Sequence, residues 1–100
     1  MIKIDPDRKA EIERAAFLAK RKEEVERISV TTASGRVFDG DEISQGRIAR
    51  AILGMQSQPE GAVVQWVLHD NTVVDVGIPE LQEALTLAGL AQTALWVDLK

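Results

Sequence analysis

The sequence predicts an α+β fold, and three observations carry that expectation. Helix-period and strand-period segments follow one another in the order α-β-β-α-β-β-α. Two short turn signals, Ala33-Ser34-Gly35 and Asp70-Asn71, each sit between alternating apolar runs. A long charged segment precedes the first turn. Two hairpins forming an antiparallel sheet, packed by helices, are the economical arrangement of these pieces. One four-stranded sheet with the helices on one face is the expected outcome.

The first helix is expected from Asp5 to Arg27. Asp5 followed by Pro6 reads as an N-cap with proline at the first helical position, where its missing N–H costs nothing. Ile12, Ala15, Ala16, Leu18, Ala19 and Val25 fall in one half of the helical wheel, against Glu13, Arg14, Lys20, Arg21, Glu24 and Arg27. A helix of about 22 residues spans roughly 33 Å, which matches the whole diameter of a 100-residue globule. Lys20 to Arg27 keeps only Val25 as an apolar residue. Part of this helix is therefore expected to project or to lie along a partner. Phe17 falls on its charged side, which makes it a candidate contact as well as an ordinary surface aromatic.

In the first hairpin, a three-residue loop ending in Gly35 pairs Val30 with Phe38 on one face. Asp41 is then the expected N-cap of a second helix, with Glu42 in its first turn. Ile48, Ala51, Ile52 and Met55 form its apolar stripe, while Arg47, Arg50 and Leu53 lie off it. The helix is expected to end near Gln56. The second hairpin poses a question of register. A two-residue loop would pair Trp66 with Asp75, whereas a loop of three or five residues puts Val74 and Val76 on the face of Trp66 and Leu68. Burial favours the odd loop. Ile78-Pro79 opens the last helix, whose main face is Leu81, Ala84, Leu85, Ala88, Ala91 and Leu95. Leu87 and Ala94 widen its apolar arc to about 200°, beyond the roughly 100° stripe of a surface helix.

One hundred residues suit a single domain, divided into an N-terminal helix over 1–27 and an α+β body over 28–100. The apolar fraction of 45% and charged fraction of 28% are those of a folded chain. There is no cysteine, which removes disulfides, thiol nucleophiles and thiolate metal sites and suits a reducing compartment. The longest apolar run is about 5–6 residues, far short of the roughly 20 that span a bilayer. A net charge of −4 with pI ≈ 4.9 disfavours nucleic acid as a partner. A cytoplasmic location is expected.

The search for chemistry returns little. His69, the only histidine, sits beside Asp70 at a strand end. That pair could serve as a general base in a small enzyme or ligand-binding protein, the alternative reading. No nucleophile, glycine-rich elbow or phosphate loop accompanies it, so a turn or solvent-facing role is favoured. Asp39, Asp41 and Glu42 bunch at a helix start, where capping explains them better than a cation does. Arg47 and Arg50, with Arg36, form a small basic patch that could meet an acidic partner or lie solvated. No catalytic residue, cofactor or metal is expected.

The run Gly35-Arg36-Val37-Phe38-Asp39-Gly40-Asp41-Glu42-Ile43-Ser44-Gln45-Gly46-Arg47-Ile48, with Ala51-Ile52, Trp66 and Asp70-Asn71 beyond it, resembles a domain of unknown function from tailed phages and prophages. The likeness extends over about residues 20–95, including the charged helix Lys20 to Arg27. It implies a tail-fibre or tail-fibre-assembly context, in the host cytoplasm or with the virion, and a non-enzymatic binding role. In that family the domain often stands C-terminal to a longer region, so both a small whole protein and a module of a larger one stay open. The expected partners are a second copy of the chain and another tail protein, with no nucleic acid and no membrane. Phe17, Arg47, Arg50, Leu87, Leu90 and Ala94 are the candidate contact residues.

Overall fold

Pro6 opens the first helix of the structure, a computed structural model that describes residues 6–98. The expected cap Asp5 lies outside the described residues. Helix α1 runs Pro6–Glu26 and is rich in alanine, glutamate, lysine and arginine, all strong helix formers. It ends in a tightened turn, with Arg27 N–H donating to Glu24 O and Ile28 N–H to Val25 O. Most of the expected apolar face of α1 is left uncovered by the described residues. Ala15, Ala16 and Ala19 are exposed, Ile12 is 53% exposed, and Val25 alone is buried.

Strands β1 (Ser29–Thr31) and β2 (Val37–Asp39) pair antiparallel with Val30 opposite Phe38, as the sequence predicts. Thr32 and Arg36 close the loop, Gly35 N–H donates to Thr32 O at 2.9 Å, and Gly35 takes φ +88°. Strands β3 (Val63–Val67) and β4 (Val73–Gly77) pair Trp66 with Val74 and Val64 with Val76. Their loop is again three residues, His69-Asp70-Asn71, and Asn71 takes the left-handed position at φ +68°. The two hairpins therefore close in one way, with asparagine in the second where the first has glycine.

The hairpins form two separate two-stranded sheets rather than one of four strands. One backbone bond bridges them, from His69 N–H to Val37 O at 3.0 Å. No ladder develops because β2 spans three residues and the chain turns away at Gly40. That turn is packed tightly. Gly40 N–H donates to Ile28 O, and a Cβ here would lie 2.7 Å from Ile28 Cγ2 and 3.0 Å from Ala88 Cβ.

Helix α2 spans Glu42–Met55 and α3 spans Ile78–Asp98. Asp41 caps α2, and its apolar stripe is inward as expected: Ile48, Ile52 and Met55 are buried. Leu53, off the stripe, is 66% exposed. Phe38, Ile48, Val76 and Leu81 are the largest fully enclosed side chains, joined by Ala84 and Ala88 of α3. The core thus sits between α2, α3 and the inner faces of both hairpins. The molecule measures 68 × 25 × 18 Å with a radius of gyration of 18.5 Å. A compact chain of this length would have about 13 Å. Projection of α1 accounts for the excess.

Candidate interaction surface

Helix α3 is anchored by its first turns, and this fixes which face it presents. Glu80 Oε2 accepts from Thr32 Oγ1 at 2.9 Å and from Ser34 Oγ at 2.6 Å, while Oε1 accepts from Arg36 Nη1 at 2.8 Å. Glu83 Oε2 accepts from Ala33 N–H at 2.7 Å. Burial pushes the Glu80 carboxyl up, but its bonds from Ser34, Thr32 and Arg36 outweigh that and hold it below its ordinary value. Arg36 is thereby a structural tie, paired with Glu80 and bonded also to Asp75 O. Further along, buried Gln92 accepts from Gln45 Nε2 at 2.7 Å and donates to Glu42 Oε1 at 2.6 Å. Sequence reasoning missed both networks, since they join positions about fifty residues apart.

With its inner face so held, α3 turns a charge-free surface outward. No charged residue occurs between Glu83 and Asp98. Leu87, Leu90, Ala94 and Val97 follow one another at helical spacing along that length. Leu87 is half-buried against the core. Leu90 is 63% exposed, Ala94 is exposed, and Val97 extends the surface. Three of the six predicted contact residues thus share one helix face.

The other three lie apart from it. Phe17 is half-buried under the Arg21 guanidinium, which stands 5.9 Å from the ring centre. Arg50 is exposed and folds back over Gly46 of its own helix. Arg47 borders a cleft of ≈ 470 Å³ that Asp39, Ser44, Gln65 and Trp66 also line.

A second cleft, of ≈ 380 Å³, opens where α1 leaves the body. Leu18, Arg21, Lys22, Val25 and Glu26 of α1 form one wall. Ile43 and Trp96 give the other its apolar part, beside Asp41 and Glu42. None of Leu18, Arg21, Lys22, Ile43 or Trp96 was among the predicted contacts. The seven-residue spacing of Leu18 and Val25 around a basic pair is the signal that could have found them.

Around the histidine, the carboxylate that bonds is not its neighbour. His69 Nδ1 lies 2.6 Å from Asp39 Oδ1, both groups half open to solvent. Asp70 Oδ1 accepts from Thr72 N–H within its own turn, and hydrogen bonding from Thr72 holds its carboxyl below the usual range. Asp41 Oδ1 accepts from Ser44 Oγ at 2.5 Å. Among the described residues, no group of three or more histidine, cysteine, aspartate or glutamate side chains is placed to hold a metal ion. No helix among them is long and apolar enough to cross a membrane.

The family described as "Domain of unknown function (DUF4376)" matches residues 7–96, and the chain belongs to it. No curated protein and no solved structure matches the chain.

Proposed function

We propose that this member of the family is a non-enzymatic protein-binding module that associates with itself and with a tail protein, in tail-fibre assembly or tail structure of a phage or prophage. The observation that supports it is the outer face of α3, where Leu90, Ala94 and Val97 are exposed with no charge among them. Apolar surface gathered on one rigid element, with no charged residue to keep it solvated, is what a binding surface requires. The tail context comes from the resemblance of the Gly35–Ile48 run, Trp66 and Asp70-Asn71 to the phage domain.

The test is direct binding, by calorimetry or sedimentation, to the tail-fibre proteins encoded beside the chain. Leu90→Asp combined with Ala94→Asp should weaken the complex about tenfold or more, the scale of a central anchor. Binding that ignores both changes would sink the assignment of α3. Failure to bind any tail protein would sink the tail role.

A further inference from the structure

Resting on the reading of the chain as a self-associating module, we infer that the free edge of β3 pairs antiparallel with the β3 edge of a second copy. Leu68 N–H donates to Thr72 O at 2.8 Å. Backbone direction alternates along an antiparallel pair, so Val64 and Trp66, opposite Val76 and Val74, also bond toward β4. The N–H and C=O of Val63, Gln65 and Val67 therefore point off the hairpin. Among the described residues they meet no hydrogen-bond partner. An unpaired edge is a template for another strand, and folded chains blunt theirs with a charge, a proline, a bulge or a cover. The other edges here are blunted. Helix α3 lies against β1. Strand β2 carries Asp39, and its Val37 O is taken by His69 N–H. Strand β4 carries Asp75, whose O accepts from Arg36. Strand β3, Val63-Val64-Gln65-Trp66-Val67, has no charge and no proline, and its register with β4 is unbroken. Beside it there is room. Gln65, Trp66 and Val67 form one side of the ≈ 470 Å³ cleft, with Asp39, Ser44, Arg47 and Asn71 around it. A paired strand would lie about 4.8 Å away.

What selects a second copy is the order of the edge residues. Val63, Gln65 and Val67 read the same in both directions. In an antiparallel pair centred on Gln65, Val63 stands opposite Val67 of the copy and Gln65 opposite its own counterpart. Each edge N–H then meets a C=O, and the two-fold axis repeats every contact. The side chains agree with this register. Val63, Val67 and Val73 share the outer face of the hairpin and are 58%, 55% and 56% exposed. Pairing sets each Val63 beside the copy's Val67, with its Val73 next in the row, and so joins two small apolar patches into one band. The Gln65 amide carries both donor and acceptor, so two of them satisfy each other at the axis. The charges around the cleft, Asp39 and Arg47, are opposite in sign, and the strand that enters has none.

Hydrogen exchange of the full chain at rising concentration reads the seam amide by amide, alongside sedimentation equilibrium. The Gln65 and Val67 amides should exchange freely in the monomer and gain about tenfold protection or more as the dimer forms. The Trp66 amide, already bonded to β4, should stay protected throughout. Val67→Lys puts a charge on the edge and should weaken the dimer about tenfold or more. That side chain is exposed, so the melt of the dilute protein should hold. The chain has no cysteine, so orientation can be read separately. Chains carrying Val63→Cys, mixed with chains carrying Val67→Cys, should cross-link to each other in preference to their own kind. A strict monomer, a dimer whose Gln65 and Val67 amides stay unprotected, or a dimer indifferent to Val67→Lys each overturns the inference. So does a preference for like-with-like cross-links, or protection that appears only when a tail protein is added. Tail-protein binding lost only on Leu90→Asp with Ala94→Asp would still uphold the role of α3, so the two readings fail separately.

Discussion

Glu80 shows what a single carboxylate does in this chain, since three donors from the first hairpin converge on it. Its side chain is 18% exposed. Removing it by Glu80→Ala leaves Thr32, Ser34 and Arg36 without their acceptor, at a cost of about 1–3 kcal/mol in urea unfolding. Because its folded pKa lies below the ordinary 4.5, the unfolded chain binds the proton more readily. The stabilisation is therefore complete above pH 4.5 and is lost as pH falls through the folded value. Glu80→Gln should flatten that acid limb in a series of melts from neutral pH downward. Two glycines separate backbone from packing at the same scale. At Gly35 a Cβ meets nothing within 4 Å, so Gly35→Ala costs backbone strain alone, about 1–2 kcal/mol. At Gly40 the backbone is ordinary and the space is full, so Gly40→Ala costs about 1–3 kcal/mol through displaced Ile28 and Ala88. If Gly40→Ala melted like the wild type, the tight turn into α2 would be refuted.

Among the elements, the second hairpin shows how burial selects a register. Both turn chemistries were open at Asp70-Asn71, and the odd loop won because it puts Val74 and Val76 behind Trp66 and Leu68. Asn71 accepts the left-handed backbone that this loop demands. Asn71→Val should cost about 1–3 kcal/mol by unfolding, since a β-branched residue resists positive φ. Helix α3 is fixed by longer-range forces. Glu80 and Glu83 seat its start on the first hairpin loop, and Gln92 bonds to Gln45 and Glu42. Those ties set its rotation and so decide that Leu90 and Ala94 face out while Leu81, Ala84 and Ala88 face in.

For the molecule as a whole, the separation between α1 and the body governs behaviour. Since only Val25 of α1 is buried, removing residues 1–19 should change the unfolding free energy of the body by no more than about 1 kcal/mol, measured at low protein concentration. A body that failed to fold without residues 1–19 would contradict the packing described.

The order α-β-β-α-β-β-α, both hairpin pairings, the Asp41 cap and the inward stripe of α2 were legible in the sequence, because each rests on interactions within a few residues of the chain. Caps, turns and periodicity are local, and they survive translation into structure unchanged. The single four-stranded sheet was not a local matter, and a strand of three residues ending at Gly40 left only the His69–Val37 bond between the hairpins. The candidate surface divides the same way. The charge-free run of α3 could be read in the letters, but its outward rotation is set by Glu80 and Gln92, whose partners lie about fifty positions away. The cleft under α1 exists only because α1 leaves the body at Val25 and faces Ile43 and Trp96 across open space. Periodicity gives a helix its faces; only packing decides which of them stays bare.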